Sequence, residues 1–175
     1  MINVIYNFDT LRTDLDLLVS SYPFLQVFSI GKSVLGNDLY CIRLGKGNKQ
    51  VFYSGSYHAN EWITSAVLMK FVNDFSAAYE SNSNIYGYST REIFDSTSIY
   101  IIPMVNPDGA NLVTGSFART SFLYQHFRNI ALQYPDIPFP DGWKANFNGV
   151  DLNLQFPALW ERAKEIKYSQ GFTRT

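Results

Sequence analysis

The chain has 175 residues, enough for one domain with its own hydrophobic core, and residues 1–175 read as a single domain. Apolar residues make up 46% and charged residues 17%, as in an ordinary globular protein. The net charge of −1 leaves no electrostatic footprint for nucleic acid or an anionic membrane, and the single cysteine, Cys41, excludes an intrachain disulfide.

The opening stretch "MINVIYNFDT" lacks a basic region followed by an apolar run, so it does not read as a signal peptide. No stretch approaches a membrane span, and the expectation is a cytoplasmic protein. In "FDTLRTDLDLLVSSYPF" an N-cap falls at Asp9 or Thr10. Leu11, Leu15 and Leu18 follow at helical spacing, and Pro23 ends the pattern. "LQVFSIGKSV" and "DLYCIRLG" flank "LGND" and predict a hairpin, with Cys41 as a buried, inert thiol. "KQVFYSGSY" predicts a third strand, apolar enough to be central. A helix follows, in which Ile63, Val67, Phe71 and Phe75 recur every fourth residue beside Leu68 and Val72.

"ESNSNIYGYST" reads as a polar loop and "REIFDST" as a short helical turn. "SIYIIPMVNPDG" predicts a buried strand ending in turn residues. "SFLYQHFRNIALQY" predicts a helix, "PDIPFPDGWKANFNG" a long irregular loop, and "ALWERAKEIKYSQG" a last helix stopped by Gly171. Strands alternating with helices predict an α/β fold with a mixed sheet. In such folds sites lie beyond the carboxyl ends of strands, where both "YHANE" and "NPDG" fall.

His58 and Glu61 stand three apart at the end of the third strand. An imidazole nitrogen and a carboxylate oxygen can both bind zinc, and this spacing lets both point at one ion. The bland alternative is a turn histidine beside a carboxylate favoured in the first turn of a helix. In "NGVDLN", Asp151 and Asn153 share one face if the stretch is extended. A buried Asp beside a metal-binding His would fix its tautomer. Lys144 in the preceding loop could place a cation where an oxyanion forms. His126, inside an amphipathic helix, reads as a surface or core-edge residue.

"IGKSVLGNDLYCIRLG", "SGSYHANEW", "MVNPDG" and "GWKANFNGVDLNLQFP" occur in an order that resembles the zinc carboxypeptidase family, the carboxypeptidase A-like metallopeptidases. "WKANFNGVDLNLQFPALWE" is most similar to the bacterial γ-D-glutamyl-diamino-acid endopeptidases, which cut cell-wall peptides. The resemblance implies an α/β/α layered fold, incomplete at the C-terminus, and a Zn2+ cofactor. It implies that His58 and Glu61 are the first two zinc ligands and that Asp151 orients His58. Lys144 stands where the family usually has a carbonyl-polarising arginine. Asn153 stands where the family has an asparagine that binds the substrate's terminal carboxylate.

The chain departs from the family at three positions. Lys144 lacks the guanidinium fork. Leu154 replaces an arginine that grips a free C-terminal carboxylate, and Asn60 replaces a substrate-binding arginine of digestive members. These changes suit a peptide or muropeptide substrate with unusual carboxylate placement.

In the family the third ligand, a histidine, and the general-base glutamate come later in the chain. Neither has a counterpart by order here. The resemblance therefore implies the N-terminal part of a peptidase domain, with doubtful activity on its own. Two other readings stay open. One is a non-catalytic module that binds cell-wall peptide or a partner protein. The other is a split enzyme whose site is completed by a partner chain.

Overall fold

A computed structural model of the chain describes residues 5–171. The first four residues of the N-terminal stretch and the last four of the chain lie outside the described residues.

The first helix, α1 (Phe8–Ser21), begins earlier than the sequence pattern suggests. Asn7 is the cap, and its side chain accepts from the Thr10 amide at 2.9 Å. Phe8, Leu11, Leu15 and Leu18 form its buried stripe. Strands β1 (Gln26–Lys32) and β2 (Asp38–Leu44) form the expected antiparallel hairpin, with a register shift between Ser29 and Lys32. Strand β3 (Lys49–Ser54) leads through a short 3-10 turn, Ala59–Glu61, into α2 (Ile63–Glu80).

The polar segment after α2 is more ordered than a loop. It forms a small two-stranded ribbon, β4 (Asn84–Ile85) with β5 (Tyr88–Ser89). Helix α3 (Thr90–Ser96) then delivers the chain to β6 (Thr97–Ile102), the buried strand expected from its apolar run. Helices α4 (Pro107–Val113), α5 (Phe122–Ala131) and α6 (Trp160–Ser169) follow.

The sheet is mixed, in the order β1-β2-β6-β3. β6 inserts between the hairpin and β3, antiparallel to β2 and parallel to β3. β3 is therefore an edge strand among the described residues, not the central strand its composition suggests. Val51, Phe52 and Tyr53 stay exposed on it. The error has a simple origin: an apolar run shows that a strand can be buried, but topology decides which neighbours it receives.

Ile42 and Leu44 of β2 and Ile99 and Ile101 of β6 share one face by register. They pack with Leu11, Leu15 and Leu18 of α1 and Met69, Val72 and Phe75 of α2 in one core. The buried stripe of α2 is rotated from the expected one. Ser65 and Ser76 are buried in it, while Ile63 and Val67 are exposed. Two small hydroxyl residues let α2 lie close, so its largest apolar residues do not all face inward. Cys41 is buried and free, as expected.

A second core cluster gathers Ala59, Leu112, Phe127 and Trp143, with Phe139 and Phe147 against it. It joins the turn after β3 to the long loop before residue 150.

Candidate metal centre

The segment between β3 and α2 is fixed from both sides. Beyond the strand ends, the Gly55 amide donates to the Ile102 carbonyl, and the amides of Val105 and Asn106 donate to the carbonyls of Gly55 and Ser56. Ser56 is buried with φ of 53°, a left-handed conformation costly for a residue with a Cβ. Thr64 in the first turn of α2 holds it: the Thr64 hydroxyl accepts from the Ser56 amide and donates to the Glu61 carbonyl, both at 2.8 Å. The reversal brings His58 to the start of the 3-10 turn that carries Glu61.

The result is a three-residue constellation. His58 Nδ1 stands 3.0 Å from Glu61 Oε1, and Nε2 stands 3.3 Å from Asp151 Oδ1. The side chain of His58 is 15% exposed, that of Asp151 28% and that of Glu61 50%. The Nε2–Oδ1 pair has ion-pair distance but not hydrogen-bond geometry, so Nε2 is a buried nitrogen without a hydrogen-bond partner. Ser56 Oγ and Asn60 Oδ1 are also buried and unpartnered.

This arrangement fits a metal on the Nδ1 side. Two tetrahedral zinc ligands at bond lengths of about 2.0–2.2 Å sit about 3.4 Å apart. The observed 3.0 Å is the length of a direct hydrogen bond between His58 Nδ1 and the Glu61 carboxylate, so an ion would have to replace that bond and part the two atoms by a few tenths of an ångström. The opposite ring nitrogen faces a carboxylate, the usual partner of a metal-binding histidine. Among the described residues, however, no group of three His, Cys, Asp or Glu side chains could hold a metal ion. Asp151 lies across the ring from Glu61, so the two carboxylates do not converge on one point.

His126 is not part of this constellation. It sits on α5, where its Nε2 lies 3.1 Å from the Phe147 carbonyl oxygen and its ring stacks on Phe147 at 4.2 Å between centroids. It is the core-edge histidine anticipated from its helix.

The loop that bears Lys144 is laced to the turn that bears His58 and Glu61. The Ala59 amide donates to the Lys144 carbonyl and the Asn60 amide to the Trp143 carbonyl, each at 3.1 Å. The backbone of Lys144 is thus fixed beside His58, while its side chain is exposed.

Asp151 has extended backbone but Asn153 does not, so the two do not share one face of a strand. Asp151 caps a 3-10 turn, Leu152–Leu154, and its Oδ1 accepts from the Asn153 amide at 3.0 Å. The short Asp side chain bonds its own backbone two residues on, which curls the segment. The Asn153 side chain is exposed and lines a cavity of about 130 Å³ with Leu154, Phe156 and Trp160. It is not drawn onto His58 or Glu61.

"NPDG" is more than a turn. Asn106 caps α4, Pro107 occupies its first position, and Asp108 is buried in its first turn. Asp108 accepts from the Ser33 hydroxyl, the Leu35 amide and the Asn37 side chain at 2.7–3.1 Å, pinning the β1–β2 turn. Asn106 is 2% exposed, and its side chain reaches the Tyr57 carbonyl just before His58. Neither role was visible locally, because each partner comes from a distant segment. The only local signal was an Asn-Pro-Asp-Gly run directly after a buried strand.

Comparison with known proteins gives the family. The family model described as zinc carboxypeptidase matches residues 11–173. The chain belongs to the zinc carboxypeptidase family. It is 42% identical over 156 residues to "Gamma-D-glutamyl-L-diamino acid endopeptidase 1" of Lysinibacillus sphaericus, covering 89% of this chain and 39% of that protein. It is 36% identical over 165 residues to the uncharacterized protein YqgT of Bacillus subtilis, covering 93% and 43%. The chain thus spans about two fifths of the length of these relatives.

Among solved structures, a metallo-carboxypeptidase from Pseudomonas aeruginosa aligns with a TM-score of 0.55 at 15% identity, over 93% of this chain and 37% of that one. That likeness places the mixed-sheet architecture within the zinc carboxypeptidase fold. No helix among the described residues is long and apolar enough to cross a membrane.

Proposed function

We propose that this chain carries the front half of a zinc peptidase site that acts on γ-D-glutamyl-diamino-acid bonds of cell-wall peptides. The observation that carries the reading is the His58 ring held between two carboxylates, Glu61 at Nδ1 and Asp151 at Nε2. His58 and Glu61 are the proposed ligands. The proposed role of Asp151, 3.3 Å from Nε2, is to favour the tautomer protonated there once a metal takes the place of the Nδ1–Glu61 hydrogen bond. Zinc held there supplies Lewis acidity for amide hydrolysis.

The residues around that position have separate tasks. Lys144, on a loop bonded to the ligand turn, offers a positive charge to an oxygen that gains negative charge in the transition state. Asn153 lies on the turn that Asp151 caps and is proposed to bind a carboxylate of the substrate. The cell-wall peptide assignment rests on the 42% identity to the diamino acid endopeptidase and on Leu154 and Asn60, two of the three departures from the carboxypeptidase pattern. A further ligand and a general base have to come from outside the described residues, from the same polypeptide or from a partner chain.

Zinc affinity, read by competition with a chelator, tests the site in the chain and in Glu61→Gln. The expected result is zinc uptake that weakens at least about 10-fold in the variant. Zinc uptake indifferent to Glu61 would overturn the reading. Release of diamino acid from a γ-D-glutamyl-diaminopimelate peptide, in the polypeptide or complex that supplies the further ligand, tests the substrate.

A further inference from the structure

The ligand turn and the Lys144 loop belong to segments distant in sequence, and one buried side chain bridges them. Asn106 Nδ2 lies 2.9 Å from the Ala145 carbonyl, 3.3 Å from that of Lys144 and 3.3 Å from that of Tyr57, the residue before His58. Its Oδ1 accepts from the Gly109 amide at 3.0 Å and caps α4. The Asn106 amide itself donates to the Ser56 carbonyl at 3.0 Å.

One residue thus contacts Ser56 and Tyr57 in the reversal that delivers His58, the loop of the proposed cation, and the first turn of a helix. Gly109 marks the same junction independently. A Cβ placed there would lie 2.6 Å from Asn106 Nδ2, 2.7 Å from Ala59 Cβ and 2.8 Å from the Ala145 carbonyl oxygen. The three segments meet so closely that position 109 has no space for a methyl group.

We infer that Asn106 is a positioning residue for the metal centre: through its side-chain amide it sets the His58 turn and the Lys144 loop at a fixed separation. This inference rests on the zinc reading of His58 and Glu61. The chemistry is suited to the task. A neutral carboxamide offers two donors and an acceptor, so it can satisfy carbonyls from two loops and one helix amide without placing a charge beside the metal. A carboxylate of the same shape would cap the helix equally well but would repel the carbonyls.

The test uses Asn106→Ser, whose hydroxyl still caps α4 but cannot span to Tyr57 and Ala145. Zinc affinity is measured by chelator competition, and backbone amide exchange is followed residue by residue. A positioning role predicts zinc weakened at least about 10-fold, as for residues that orient ligands. It also predicts faster exchange at Ala59 and Asn60, with the β2–β6 ladder unchanged. A purely structural role would lower protection across the whole sheet, and zinc loss that tracks such a general loss overturns the inference. So does unchanged zinc affinity in a variant whose Ala59 and Asn60 amides have loosened.

A measurement on the unsubstituted chain covers the case of a variant that fails to fold. Coupling is reciprocal, so zinc should slow exchange at Ala59, Asn60 and Gly109. Zinc that binds without altering these amides overturns the inference. Glu61→Gln separates the two failures. If zinc binding ignores Glu61, the site reading falls and this inference with it. If it depends on Glu61 but not on Asn106, only this inference falls.

Discussion

The backbone amide of Ala59 donates to the carbonyl of Lys144 at 3.1 Å. Ala59 directly follows the proposed ligand His58, so the ligand turn and the loop of the proposed cation share a backbone hydrogen bond.

Asp151→Asn keeps the size and the Oδ1 that caps Leu152–Leu154 but removes the charge facing His58 Nε2. Zinc affinity should fall by about 10- to 100-fold, the usual cost of losing a residue that orients a metal-binding histidine. Far-ultraviolet circular dichroism should stay unchanged. Wild-type zinc affinity in this variant would remove Asp151 from the site.

Gly109→Ala inserts a methyl group where Ala59 Cβ and the Ala145 carbonyl stand 2.7 and 2.8 Å from the new atom. Backbone cannot yield as a flexible side-chain end can. The variant should lose about 1–3 kcal/mol of stability, as overpacked sites do. Urea unfolding checks this. A variant as stable as the parent would show that the junction has slack.

Tyr6 is buried, and its hydroxyl donates to Asp14 Oδ2 at 2.6 Å. Burial, then the hydrogen bond and charge of Asp14, push the phenol far above its ordinary range. The folded chain thus holds this proton more tightly than the unfolded chain does. The stabilisation is full below the unfolded value of about 10 and falls as pH rises beyond it, by up to about 1.4 kcal/mol per pH unit. Tyr6→Phe should be about 1 kcal/mol less stable at neutral pH, through the lost hydrogen bond. Its stability should also fall less steeply in alkali, so that the two curves converge. Parallel curves in urea unfolding across that range would contradict the account.

Cys41 is 4% exposed, and burial pushes its thiol upward. The native chain should react slowly with an aromatic disulfide reagent and release one equivalent of thiol rapidly once denatured. Rapid reaction of the native chain would mean that β2 opens readily.

Much of the fold was legible because its signals are local. Leu11, Leu15 and Leu18 mark α1 by spacing alone, and "LGND" marks the β1–β2 turn. His58, Glu61 and Asp151 were legible as a group through the order of their motifs, and they do meet in space. What stayed hidden depends on long-range partners. Nothing near Asp108 shows that Ser33, Leu35 and Asn37 bond to it. Nothing within "KQVFYS" shows that β6 takes one side of the strand and that, among the described residues, no strand takes the other. Asp151 and Asn153 would share one face only in extended chain, and the bond from the Asn153 amide to the Asp151 side chain curls the segment instead.

The free side of β3 has a geometric consequence. Among the described residues no strand pairs with its outer side between Lys49 and Ser54, and the reversal that delivers His58 begins at the next residue. Backbone added along that margin would have one end beside the imidazole. The place where this sheet can grow and the place where it can hold a metal adjoin, so extending the sheet and furnishing the site with further groups could be a single structural event.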